Sequence, residues 1–167
     1  AVRACLFDVE GVLTDSGRVH ALAWGEVFDE FLLRVGERTN WPFIPFDRRS
    51  DYAAYVEGRP RLEGIHLFLA SRGVQIPEGR PADPSVAGTA YGLARRKGQV
   101  LERRLNERGV AALPGSRRYL EAARRAGLAR AVVSASTNTS PILELAGLAP
   151  LIDERIDAAA IRDEELR

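Results

Sequence analysis

Apolar residues recur along this chain with two periods. Residues 2–7 (V-R-A-C-L-F) form a short, almost continuous apolar run and predict a buried strand. Residues 129–134 (A-R-A-V-V-S) predict a second strand, and 151–158 hold a weaker third. Between the first two, apolar positions fall on a 3.6 period. Trp24, Val27, Phe28, Phe31 and Val35 share one face of a helix over 19–35. Shorter helices are predicted over 51–56 and 62–71, and a long one over 90–107 that stops at Gly109. Segments 36–47 and 75–88 read as irregular, marked by prolines. Ser116 is the expected N-cap of a helix over 117–126. Ser140, with Pro141 behind it, is the expected N-cap of a helix ending at Ala146.

Continuous apolar strands joined by helices predict a parallel sheet of the α/β class. More than a hundred residues separate the first two strands, too many for a simple crossover. A helical domain inserted after the first strand accounts for them.

Composition narrows the function classes. Of 167 residues, 46% are apolar and the net charge is +1, which fits a globular domain without a basic field for nucleic acid. No apolar run approaches the roughly 18 residues of a membrane span. A single cysteine, Cys5, cannot staple the fold, so a reducing, cytoplasmic setting is expected. The chain has no methionine, which suggests a piece of a longer protein. Among 24 basic residues Lys97 is the one lysine, which singles it out for chemistry.

The candidate chemistry lies at strand ends. Asp8 and Glu10 follow the first strand, at the edge where open parallel sheets bind ligands. Taken alone, D-x-E is most simply a pair of solvated turn acids. The second strand changes that reading, because it ends in S-A-S-T-N at the same edge. Ser134, Ser136 and Asn138 offer hydroxyl and amide groups to an anion, beside an acid able to attack phosphorus. Lys97 falls among Leu93, Val100 and Leu101 on the apolar face of its helix, so it is expected inside a cleft. His20 lies one turn from Trp24 on the apolar face, where a core role and a site role are equally open. Trp24 reads as packing rather than ligand.

With these residues in place, the sequence resembles the haloacid dehalogenase (HAD) superfamily, and within it the β-phosphoglucomutase-like subgroup. The carriers are F-D-V-E-G-V-L-T-D (7–15), V-V-S-A-S-T-N (132–138), the helix with His20 and Trp24, G-R-P-R (58–61), R-R-K (95–97) and L-P-G (113–115). The resemblance implies a Rossmann-like parallel-sheet core, residues 1–15 and 109–167, with a helical cap over 16–108. It implies that Asp8 becomes an aspartyl phosphate and that Glu10 is the general acid/base. Asp8 and the Glu10 backbone carbonyl would bind Mg2+, and Ser134 would hold the transferring phosphoryl group. Arg61, Lys97, Ser136 and Asn138, with His20 and Trp24 nearby, would grip a phosphorylated sugar under the closing cap.

Two departures from the family pattern stand out. Glu10 occupies a position where the family carries aspartate. The family's third-motif lysine and fourth-motif acids would follow the third strand, where this chain reads I-D-A-A-A-I-R-D-E-E-L-R. The core is therefore expected to be incomplete at its C-terminus, with residues 2–7 as an exposed apolar edge and catalysis impaired. Fusion to, or pairing with, another sugar-metabolism domain is left open. The alternative reading is a non-catalytic domain of the same fold. A receiver domain, which also phosphorylates an aspartate, fits poorly with the helical insertion.

Overall fold

The computed structural model describes residues 2–39 and 42–158. In chain order the elements are β1 (Ala4–Phe7), α1 (Ser16–Thr39), a π-helical turn (Tyr52–Val56), α2 (Arg61–Ser71) and α3 (Ala90–Arg108). There follow α4 (Ser116–Arg125), β2 (Ala129–Ser134), α5 (Thr139–Leu145), a 3-10 turn (Ala149–Leu151) and β3 (Glu154–Asp157). Two compact units result: Ala1–Arg18 with Leu105–Arg167, and Val19–Arg104. No described helix is long and apolar enough to cross a membrane.

The first unit holds a parallel sheet in the order β1-β2-β3. Ala4 pairs with Ala129 and Phe7 with Val132, and Ser134 pairs with Asp157. Paired residues of parallel neighbours point to the same face. Phe7, Val132, Ser134 and Asp157 therefore share one face, which α4 covers at β2. Phe7 meets Tyr119 of α4 edge-on at 5.8 Å. Leu6, Val133 and Ile156 share the other face and are 70%, 45% and 52% exposed. The run over 2–7 forms a strand, but not the buried one its apolar pattern predicts: β1 ends the described sheet, none of its four residues is buried, and Val2 and Leu6 face outward.

The second unit is built on aromatic packing. Phe28 of α1, fully buried, stacks on Trp24 at 4.9 Å and meets Phe68 of α2 at 4.2 Å. Glu26 of α1 takes Arg103 and Arg104 of α3, and Glu30 takes Arg96 at 3.1 Å, which fixes the pairing of the two helices. Leu93, Val100 and Leu101 bury the inner face of α3. The π turn closes with Glu57 N–H donating to the Tyr52 carbonyl at 2.9 Å. Gly64 allows α2 to approach it: a Cβ there would lie 3.0 Å from the Tyr55 carbonyl oxygen.

Several boundaries differ from the sequence expectations, each for a local reason. Helix α1 begins at Ser16 and continues to Thr39, because Gly36 is tolerated inside a helix and the Thr39 hydroxyl back-bonds to the Val35 carbonyl at 2.7 Å. Ser116 does not cap α4. Gly115, with φ +97°, holds the cap position, and the Ser116 hydroxyl donates to the Val12 carbonyl at 3.1 Å. Ser140 does not cap α5 either. Asn138 holds that position, and Pro141 sits in the first turn, where a missing N–H costs nothing.

Candidate active site

Asp8 leaves the sheet directly after the Phe7–Val132 pair, so it stands at the carboxyl end of β1 beside the last residues of β2. Its side chain is exposed, and one carboxylate oxygen accepts the Val9 N–H at 2.6 Å. Gly11, with φ +75°, reverses the chain after Glu10, and the loop returns so that Glu10 bridges Thr14. That bridge uses the Val9 carbonyl and the Gly11 amide, not the Glu10 carbonyl. Two hard oxygens, the Asp8 carboxylate and the Glu10 carbonyl, lie on this loop. Mg2+ suits such a pair, since it is commonly held by one or two carboxylates with waters and substrate phosphate completing the octahedron. Among the described residues, no three His, Cys, Asp or Glu side chains converge to hold a metal.

Ser134 ends β2 and is buried. Its Oγ accepts the Ser136 N–H at 3.1 Å, and the Ser136 Oγ accepts the Asn138 N–H at 3.2 Å. These two turns wrap the chain after the strand, and the Thr139 hydroxyl closes the wrap on the Ser136 carbonyl at 3.0 Å. With both oxygens accepting, the hydroxyl protons of Ser134 and Ser136 can be given to an anion. The structure therefore brings Asp8, Glu10, Ser134, Ser136 and Asn138 into one unit, at one edge of one sheet.

Sequence reasoning missed one acid at this edge. Asp157 ends β3 opposite Ser134, is 1% exposed, and takes Arg155 Nε at 2.9 Å. The signal was its place at the end of E-R-I-D, the third strand at the same sheet edge. It also missed Thr14 and Ser16, both fully buried, whose hydroxyls lie 2.9 Å apart.

The other candidates belong to the second unit. His20 and Lys97 are both buried, and Lys97 Nζ donates to His20 Nδ1 at 3.1 Å. An ammonium only donates, so Nδ1 carries the lone pair and Nε2 the proton. The ammonium also lies 5.5 Å from the Trp24 ring centre, which gives Trp24 a packing role beside the charge. Burial pushes the His20 pKa well below its ordinary 6.5, helped by the charges of Lys97 and then Arg61. Three groups of the expected substrate grip, Arg61, Lys97 and His20, thus lie within electrostatic reach of one another.

The histidine has a stability consequence. In the unfolded chain it titrates near 6.5; in the folded chain it stays neutral to a lower pH. Below about 6.5 the unfolded state binds the extra proton, so His20 destabilises the fold as pH drops, by at most about 1.4 kcal/mol per unit. Above that pH its contribution is complete. Denaturant melts between pH 7.5 and 5 should show this slope, and His20→Gln should flatten it. An unchanged slope in the variant refutes the assignment.

A haloacid dehalogenase-like hydrolase family model matches residues 2–165. A β-phosphoglucomutase of Mycobacterium bovis is 47% identical over 165 residues, covering 99% of this chain and 63% of that protein. An uncharacterized glycosyl hydrolase of Mycobacterium tuberculosis is 33% identical over 159 residues, covering 93% of this chain and 11% of that one. The crystal structure of a Clostridium difficile β-phosphoglucomutase superposes with a TM-score of 0.70 at 21% identity, over 95% of this chain and 63% of that chain. This chain thus spans less than two thirds of the mutase relative. Strand ends, inserted helices and sequence agree with one another, and the chain belongs to the haloacid dehalogenase-like hydrolase family.

Proposed function

We propose that the protein transfers a phosphoryl group on a phosphorylated sugar with Mg2+, through an aspartyl phosphate on Asp8, as a β-phosphoglucomutase-like mutase or a sugar phosphatase. The observation that carries this reading is the β1–β2 register, which sets the Asp8 carboxylate and the Ser134 hydroxyl on adjacent strand ends. The 47% identity to a β-phosphoglucomutase supports the substrate class.

Asp8 attacks phosphorus as the bond to the sugar oxygen breaks, and Glu10 protonates that leaving oxygen. Glu10 then removes the proton from an acceptor hydroxyl. The acceptor attacks phosphorus, and the bond to Asp8 breaks to return the carboxylate. A sugar hydroxyl as acceptor makes a mutase; water makes a phosphatase. Ser134 donates its hydroxyl to a phosphoryl oxygen, with Ser136 and Asn138 beside it. Arg61, Lys97 and His20 hold the sugar phosphate from the helical insertion, residues 16–108, which acts as a cap. Mg2+, when held by Asp8 and the Glu10 carbonyl, neutralises charge on the phosphoryl group.

The free thiol of Cys5 suits the cytoplasm. The glycosyl hydrolase relative, matched over 11% of its length, supports a role beside another sugar-metabolism domain.

The test is incubation of the purified chain with Mg2+ and glucose 1-phosphate or glucose 6-phosphate. Slow interconversion or phosphate release is expected, with a hydroxylamine-sensitive label on the protein. No label and no turnover with any hexose phosphate refutes the reading. Glu10 motivates the word slow: it extends the acid by one methylene, and a misplacement of about 1 Å can cost on the order of 100-fold. Glu10→Asp is accordingly expected to raise the rate several-fold; a lower rate would mean that this scaffold has adapted to glutamate. Glu10 also favours a second reading, a phosphosugar-binding domain without turnover, which predicts binding of hexose phosphate and no label.

A further inference from the structure

We infer that Thr14 is a positioning residue for the two acids, and that Ser16 locks it in place. The inference rests on the phosphoryl-transfer reading of Asp8 and Glu10. The Val9 carbonyl lies in the stretch between those acids, and Val9 is fully buried. It accepts three donors: the Leu13 N–H at 3.0 Å, the Thr14 N–H at 2.9 Å and the Thr14 hydroxyl at 3.1 Å. The Thr14 carbonyl in turn accepts the Gly11 N–H at 2.9 Å. The peptide joining Val9 to Glu10 is therefore pinned through its carbonyl, and with it the direction in which Glu10 leaves the backbone.

The proton count fixes the direction of the hydroxyl chain. A carbonyl cannot donate, so the one proton of the Thr14 hydroxyl goes to Val9. The Ser16 hydroxyl, 2.9 Å away, must then donate to Thr14 Oγ1. Ser16 is the first residue of α1. The relay runs from the start of that helix, through Thr14, to the peptide between the acids, and it is buried along its length. The backbone of Thr14 is held from the far side as well. It bridges Ala112, with the Asp15 N–H on the Ala111 carbonyl and the Leu113 N–H on the Leu13 carbonyl, both at 3.0 Å. The hydroxyl thus acts from a fixed backbone, and removing it takes one of the three donors from the Val9 carbonyl and loosens the Val9–Glu10 peptide without moving Thr14.

Two substitutions separate positioning from packing. Thr14→Val keeps the shape and removes the donor; Thr14→Ser keeps the donor and removes a methyl group. Both should lower thermal stability. Thr14→Val alone should lower kcat at least tenfold, toward the roughly 100-fold that a 1 Å misplacement costs, with KM unchanged. Amide hydrogen exchange at Leu13 and Gly11 should speed up at least tenfold in Thr14→Val and stay near wild type in Thr14→Ser. Should Thr14→Val fail to fold, Ser16→Ala cuts the relay one step earlier and should show a smaller loss of kcat and faster exchange at Leu13. Equal loss of kcat in Thr14→Val and Thr14→Ser overturns the inference, and so does unchanged exchange in Thr14→Val. If the unmutated chain has no turnover but the exchange pattern holds, the functional reading falls and the pinning of the acid loop stands.

Discussion

Asp8→Asn is expected to abolish phosphoryl transfer and the protein-bound label together, while leaving the melting profile close to wild type. The amide has the shape of the carboxylate but neither its charge nor its nucleophilic oxygen. Asp8 is exposed, and its described bond is accepted from the Val9 N–H by one side-chain oxygen, which an amide oxygen reproduces. Little of the fold therefore depends on its charge. The chemistry depends on it wholly: removing a nucleophile that works as one unit with its acid/base and cradle costs on the order of 10⁴- to 10⁶-fold. The measurement is turnover with glucose 1-phosphate and Mg2+, set beside hydroxylamine-sensitive labelling and a thermal melt. Residual turnover within a hundredfold of wild type, or a label that persists in the variant, would place the nucleophile elsewhere.

The position of Asp8 was legible because it needs little tertiary information. A short, mostly apolar run reads as a strand, and in an open parallel sheet the residue after it stands at the carboxyl edge, where ligands bind. Two such runs in parallel then place Asp8 and Ser134 together. Lys97 and His20 were each legible as misfits on an apolar helical face, since a 3.6 period assigns faces whatever the partner. Their hydrogen bond was not, because they lie 77 residues apart and periodicity carries no information about which faces meet.

The misreadings share a cause. Ser116 and Ser140 both precede helical runs, and local propensity makes either a good cap. In the fold, the Ser116 hydroxyl finds the Val12 carbonyl 104 residues away, and a turn built on Ser136 starts α5 two residues earlier. Helix starts are set by where the chain turns in three dimensions, and a hydroxyl such as that of Ser116 serves a distant carbonyl when the turn brings one within reach. The Thr14 relay was hidden for the same reason. Its bonds are local, spanning only Val9 to Ser16, but the loop shape that makes them possible is held by Ala111 and Leu113 from the far end of the insertion.

Lys97→Met is expected to weaken hexose phosphate binding by about 1.5–3 kcal/mol, the range for hydrogen bonds to charged groups, or roughly 10- to 150-fold in Kd. Methionine fills nearly the same volume, so the aromatic packing around Trp24 is kept while the charge and the donor to His20 Nδ1 are removed. A lysine 2% exposed, held against His20 and the Trp24 ring, is a charge placed inside the protein rather than on its surface, and a substrate phosphate is the group the proposed function brings to it. The variant carries its own internal control. The Lys97 charge helps hold the His20 pKa down, so its loss should let that pKa rise toward 6.5, readable by NMR titration of the imidazole. A raised His20 pKa with weakened binding identifies Lys97 as the phosphate ligand. A raised pKa with unchanged Kd means that the ammonium shapes the histidine and leaves the substrate to Arg61 and the Ser134 turn.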